Sequence, residues 1–276
     1  MSTNKSKERA HQIIRIHLDR LEQEAGHILL SVVLVGSLTN GSYTADDGSD
    51  IDLIHILRDE APAESRQTIL ELIAGTEEAT GRDIPISRCV YYHRELFRPY
   101  PKGLPCRPEY KDYVELPIEI MRMKDSGQTL WGQDILSAID YPLREDVVAG
   151  KEEERRWSRE IQEKTGFQPI AAEDLPVRLI VQSVLVRALL DYYFATGLSC
   201  SNKAAVAEKL RRDVPDYAFL ELAELCTTRR YRAAEFTAED EDRLQSLWPR
   251  WIELRRGTDI DTVIRSDQHK AVSGKR

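Results

Sequence analysis

Val32-Val33-Leu34-Val35-Gly36-Ser37 and Ser49-Asp50-Ile51-Asp52-Leu53-Ile54-His55-Ile56-Leu57 are the two stretches whose reading decides the fold. The first is apolar and rich in β-branched residues, which predicts a buried strand ending at Gly36-Ser37. Leu38 to Gly48 is crowded with Thr, Asn, Gly, Ser and Asp, which are turn formers, and predicts a loop. The second stretch predicts another strand, with two carboxylates among its first residues. Side chains alternate faces along a strand, so Asp50 and Asp52 share one face while Ile51 and Leu53 turn to the other. Two like charges about 6–7 Å apart along a strand repel each other unless a cation stands between them. Hard oxygen ligands in a pair suit Mg²⁺, which takes one or two carboxylates together with substrate phosphates. Gly36 lets a phosphate approach the backbone, and Ser37 with its N–H can hold phosphate oxygens. Read singly, a Gly-Ser turn or an Asp-X-Asp pair is only hairpin punctuation; their order and their apolar flanks carry the signal.

With Gly36-Ser37, a loop and Asp50-Ile51-Asp52 in this order, the chain resembles the nucleotidyltransferase superfamily of polymerase-β-like fold. The resemblance implies that Gly36 and Ser37, with Ser49 at the loop's end, bind the triphosphate of ATP, and that Asp50 and Asp52 bind Mg²⁺. It also implies a third carboxylate on the next strand, which completes the metal site or serves as general base. That strand is expected over Gly81 to Tyr92, with Ile84, Ile86, Val90 and Tyr92 on one parity. Apart from Asp83 at its start, no Asp or Glu lies within it, and the expected position falls near Ser87. Three readings follow: Asp83 or Glu95 does the work from a shifted register, the base comes from the helical half, or the fold binds a nucleotide without transferring it.

Around this centre the chain reads as follows. An amphipathic helix is expected from Lys5 to Gly26, leading into the Gly-Ser strand, and another from Ser65 to Gly75. Residues 96–114 hold four prolines and form a long irregular loop. Glu115 to Trp131 predicts a helix closed by Gly127, a short strand and a turn at Gly132. The pattern Lys124, Gly127, Leu130, Gly132 resembles the end of the catalytic domain in aminoglycoside adenylyltransferase-like proteins. A boundary follows near Asp140–Lys151, and the charged run 151–156 reads as a solvated helix face.

The remainder is helical. The strongest helix runs from Pro176 to Tyr193 and is closed by Gly197; the next is expected to open at Ser201-Asn202-Lys203, with Ser201 as N-cap. Helices over Tyr217–Thr227 and Ala238–Leu254 complete a bundle, with Trp248, Trp251 and Leu254 in its core. Arg187, Tyr192-Tyr193, Thr196-Gly197 and Ser201-Asn202-Lys203 resemble the C-terminal helical domain of the aminoglycoside adenylyltransferases. There, an Arg and a Lys reach across a cleft to the nucleotide phosphates, which makes Arg187 and Lys203 candidates; an Arg187–Asp191 pair one turn apart is the plainer reading. His55 lies on the opposite parity from the aspartates and is expected in the core; His93, beside the third strand, could face the site.

The expected architecture is therefore α/β (α+β): a small mixed-sheet nucleotidyltransferase domain over residues 1–145, an all-α helical bundle over 150–258 and a polar tail over 259–276. The 276 residues suffice for two cores, and 31% charged with 41% hydrophobic residues is the composition of a soluble globular protein. The net charge of −8 argues against general nucleic-acid binding and suits a cationic small-molecule acceptor. No run of about 18 apolar residues and no apolar leader is seen, so no membrane span or secretion signal is expected. Cys89, Cys106, Cys200 and Cys226 form no Cys-X-X-Cys pair, which predicts reduced thiols in a cytoplasm and no zinc site. The implied reaction moves AMP from ATP to a hydroxyl of a small molecule, an aminoglycoside being one such acceptor. The alternatives are a non-catalytic nucleotide-binding module and a protein-modifying adenylyltransferase of antitoxin type.

Overall fold

The second strand is buried at every position, Leu53–Leu57, and so belongs inside a sheet. In a computed structural model, which describes residues 3–44, 49–101, 116–150 and 177–257, this strand (β2) lies between β1 (Leu29–Leu34) and β3 (Cys89–Tyr92). A fourth strand, β4 (Gln128–Gly132), adds to the far side of β1, so the order is β3-β2-β1-β4. β1 runs antiparallel to β2 and to β4, and β2 runs parallel to β3. The chain divides into two compact units, Met1–Phe167 and Gln168–Arg276.

Strand alternation decides what covers each face of the sheet in the first unit. Val32, Leu34, Leu53 and Leu57 pack with Ile13, Ile14 and Leu21 of α1 (Thr3–Ala25) and Ile69, Leu72 and Ile73 of α3 (Ser65–Ala79). Val33, Val35, Ile54, Ile56 and Tyr91 pack with Leu116, Ile120 and Met123 of α4 (Leu116–Ser126). The loop expected from Leu38 opens instead with one helical turn, α2 (Ser37–Asn40). The third strand is shorter than Gly81–Tyr92: only an isolated bridge, Ile51 to Ile86, precedes β3. The turn at Gly132 has φ +79°, and a Cβ there would stand 2.2 Å from the Leu30 carbonyl oxygen, so glycine is required where β4 meets β1.

His55 falls on the α1/α3 face and is fully buried, as its parity requires. Its Nε2 meets Nε2 of the equally buried His17 at 2.9 Å, and its Nδ1 lies 3.1 Å from the Cys89 carbonyl. Nδ1 of His17 lies 3.0 Å from the Thr76 hydroxyl, which donates to the Leu72 carbonyl at 2.9 Å. One polar row thus joins α3, α1, β2 and β3 through an apolar layer.

In the second unit, α5 (Val177–Thr196) carries Ile180, Val184, Leu185, Ala188 and Tyr192 into a core with α6 (Val206–Asp213), α7 (Leu220–Tyr231) and α8 (Ala238–Gly257). α5 is long and apolar enough to cross a membrane, but more than half of it is buried in this core. Trp248 and Trp251 are buried and stacked, with centroids 4.7 Å apart; the side chain of Leu254 lies outside the described residues. α6 starts later than Ser201: the Asn202 side chain accepts from the Ala204 amide at 2.8 Å, turning the chain before the helix begins.

Candidate active site

β1 delivers the chain to Gly36 at the edge of the α4 face. Gly36 has φ +78° and ψ −147°, a backbone region that glycine adopts without strain and other residues essentially do not. The space its missing side chain leaves is filled: a Cβ would lie 2.0 Å from Oδ2 of Asp52 and 2.9 Å from Nη2 of Arg122. Ser37 follows as the first residue of α2, whose turn closes by Thr39 and Asn40 amides donating to the Gly36 carbonyl, both at 3.2 Å.

Asp50 and Asp52 flank Ile51, which bridges to Ile86 and is wholly buried. Both carboxylates therefore take the other face, as the alternation of Ile51 and Leu53 demands. Asp50 is exposed, and its charge together with that of Asp83 adds to burial in raising the Tyr43 hydroxyl above its ordinary pKa. Asp52 is mostly covered, and its main-chain oxygen accepts from the Val35 amide at 3.0 Å, tying β1 to β2 beside the site.

Asp52 shares the parity of Ile54 and Ile56, so it meets the helix that covers their face. Arg122 of α4 donates from Nη2 to Asp52 Oδ1 at 2.7 Å, and from Nη1 to both oxygens of Glu119, each at 2.9 Å. Glu119 is 3% exposed. Burial works to lower the pKa of Arg122, but the charges of Glu119 and Asp52 outweigh it and hold the guanidinium firmly protonated. Neither Arg122 nor Glu119 stands out in the sequence. The available signal was their Glu-X-X-Arg spacing, three apart on one helix face.

The remaining candidates are placed as follows. Ser49 is buried, with its Oγ 3.4 Å from the Thr44 amide and hydroxyl. Ser87 stands opposite Asp52 in the parallel register, but its hydroxyl donates to the Leu53 carbonyl at 2.7 Å and accepts from the Leu53 amide at 2.9 Å. Asp83 is exposed and paired with Arg9 of α1 at 3.1 Å, and this hydrogen bond holds its pKa below the usual carboxylate range. Glu95 lies past the far end of β3, where it pairs with Arg66 and accepts from the Tyr92 amide at 2.8 Å. The parallel pairing of β2 and β3 sets that end opposite to the aspartates, so the structure does not bring Glu95 to them. His93 sits at the same end, 3.7 Å from Asp59.

In the second unit Arg187 pairs with Asp191 at 2.9 Å, and Asp191, 2% exposed, also accepts from the Tyr217 hydroxyl at 2.7 Å. Lys203 lies in the turn before α6 and is half-buried.

Residues 14–105, about a third of the chain, match the family model of the nucleotidyltransferase domain. The chain carries a nucleotidyltransferase domain, which is a transferase domain. Gly36, Asp50 and Asp52 all fall within the matched segment. No curated protein matches the sequence. Among solved structures, the spectinomycin adenyltransferase AAD(9) from Enterococcus faecialis, with ATP and spectinomycin, is similar over 87% of this chain and 99% of its own, at 13% identity and a TM-score of 0.53. That likeness is one of fold. A mutant of the MntA–HpeT toxin–antitoxin pair is a fainter likeness, with 16% identity over 55% of this chain and 94% of its own and a TM-score of 0.28, too low to bear on the fold.

Proposed function

We propose that this protein transfers AMP from ATP to a hydroxyl of a small-molecule acceptor. The observation that carries the reading is the Asp50–Asp52 pair on one face of the chain beside Gly36, inside a nucleotidyltransferase domain. Among the described residues no three His, Cys, Asp or Glu side chains converge as a metal centre. Two carboxylates are nonetheless the share a protein contributes to Mg²⁺ when substrate phosphates supply other ligands, so the donor set fits that ion. Bound there, Mg²⁺ would neutralise charge developing on the phosphates.

Asp50 and Asp52 would hold the ion. The turn at Gly36 and Ser37, with Ser49 behind it, would receive the β- and γ-phosphates. The acceptor oxygen attacks the α-phosphorus, the bond from that phosphorus to the β-phosphate oxygen breaks, pyrophosphate leaves and the hydroxyl proton passes to water. Asp83, kept ionised by its hydrogen bond to Arg9, stands at the start of the expected third strand. In this reading residues 1–145 are the catalytic domain, and 150–258 form a separate helical bundle. The fold likeness to an enzyme solved with spectinomycin and the net charge of −8 favour a cationic, aminoglycoside-like acceptor in a cytoplasmic setting.

A second reading has one observation behind it. Ser87, at the position for a third carboxylate, is tied to the main chain of Leu53. A domain that binds Mg-ATP without transferring AMP fits that substitution. Pyrophosphate release from Mg-ATP against a panel of aminoglycosides including spectinomycin separates the two. Release that depends on the acceptor and disappears in Asp52→Asn supports the transferase. Mg-ATP binding in calorimetry with no release against any acceptor supports the binding module.

A further inference from the structure

We infer that Arg122 is a positioning residue that guards Asp52: it holds the carboxylate that would take the metal and yields it only when a nucleotide arrives. This inference rests on the metal-dependent reading above.

Three observations carry it. The ion pair engages Asp52 Oδ1 at 2.7 Å, so one of two carboxylate oxygens is already satisfied by a cation. The other oxygen lies against Gly36, where even a methyl group would collide with it. A divalent ion arriving alone therefore competes with the guanidinium for the Asp52 carboxylate. Displacing the guanidinium strips a largely covered Arg of a charge-assisted hydrogen bond, among the stronger contacts a side chain makes.

The third observation is Glu119. Buried and bonded through both oxygens to Nη1, it fixes one edge of the guanidinium while Nη2 faces Asp52. The fork is thus anchored on one side and exchangeable on the other. A nucleotide changes the balance, because its phosphate oxygens offer Nη2 an equivalent anionic partner in bidentate-friendly geometry. Metal and nucleotide then enter as a coupled pair: each improves the other's binding, and the coupling passes through one side chain. Arg122 also keeps Asp52 at the rotamer that fits beneath Gly36 when no ligand is present.

The test is a titration with Mn²⁺ alone, followed by electron paramagnetic resonance of the free ion, on the full chain. Arg122→Gln should bind Mn²⁺ about tenfold or more tightly than the wild type, the effect of losing one charged competitor. The gain should vanish in Arg122→Gln/Asp52→Asn, which locates it at Asp52. Arg122→Gln takes the guanidinium away from buried Glu119; Arg122→Gln/Glu119→Gln removes that carboxylate's charge as well and should show the same tighter binding. A residue with a merely structural role would loosen metal binding when replaced, not tighten it. If the variants bind Mn²⁺ no more tightly than the wild type while all of them bind Mn-ATP, the guarding role is overturned and the nucleotide reading stands. If the wild type binds neither Mn²⁺ nor Mn-ATP, the nucleotide reading falls and this inference with it.

Discussion

Gly36 and Asp52 share a space that only one of them can fill: a Cβ on the glycine would lie 2.0 Å from the aspartate's Oδ2. Gly36→Ala therefore displaces the carboxylate and strains a backbone at φ +78°. The expected result is a fold that melts somewhat earlier, by about 1–3 kcal/mol of stability from a backbone region essentially open only to glycine, and Mg-ATP binding lost in calorimetry. Retained binding would show that Asp52 has another place to stand.

Asp52→Asn removes the charge but preserves the shape. Pyrophosphate release should fall by about 10³-fold or more, because a neutral amide no longer stabilises the ion that offsets phosphate charge. The same change leaves the guanidinium of Arg122 with Glu119 as its facing carboxylate.

Ser87→Ala tests a different claim. The hydroxyl bonds both main-chain groups of Leu53, and the amide keeps a 3.2 Å bond to the Ile51 carbonyl without it, so its loss should cost about 1 kcal/mol, the net worth of an ordinary hydrogen bond. Denaturant melts should register that cost, while turnover per folded molecule stays unchanged. A drop in turnover at unchanged stability would make Ser87 part of the chemistry.

Arg187→Gln separates structure from ligand binding in the helical unit. Asp191 is 2% exposed and loses its charged partner, so a cost of about 3 kcal/mol is expected. If Arg187 also serves the nucleotide phosphates, Asp191→Asn will share the instability but not the rise in KM for ATP.

The buried histidines make stability depend on pH. Burial, with smaller contributions from the His55 and Arg20 charges, lowers the pKa of His17 to about 2; burial, partly opposed by the bond to the Cys89 carbonyl, lowers that of His55 to about 4. Both are neutral in the folded chain at neutral pH, whereas the unfolded chain takes up protons below about 6.5. Stability should thus fall as pH drops below 6.5, by up to about 1.4 kcal/mol per pH unit for each histidine, the loss from His55 levelling off near pH 4. His55→Gln should flatten the dependence between pH 6.5 and 4 in urea melts.

Much of this site was legible before the structure. Alternation through Asp50-Ile51-Asp52-Leu53 assigns the aspartates to one face and His55 to the other, because a strand of period two leaves no third choice. What alternation does not say is which helix covers that face. Arg122 becomes part of the site only because α4, some 70 residues later, packs on Val33, Val35 and Ile54. Such a contact has no local signature. The late start of α6 was illegible for a nearer reason: Asn202 and Ser201 are both turn and cap formers, and Asn202 turns the chain first. Glu95 was misleading because closeness in sequence to β3 says nothing about which end of the sheet it reaches.

The row from Leu72 through Thr76, His17 and His55 to Cys89 contains four short contacts between hydrogen-bonding groups. Its two ends are carbonyl oxygens, which only accept. Between them, one hydroxyl and two neutral imidazoles supply three protons. The row is thus one proton short while neutral, and whichever contact lacks it sets two acceptors face to face in an apolar layer. A proton added to either ring would complete all four bonds but would place a charge where burial opposes it. The vacancy can shift along the row by ring tautomerism and rotation of the Thr76 hydroxyl. It therefore acts as a built-in weakness in the docking of α1 and α3 on the sheet, and the seam between them is where amide protection, relative to the intrinsic exchange rate, should first be lost as pH falls.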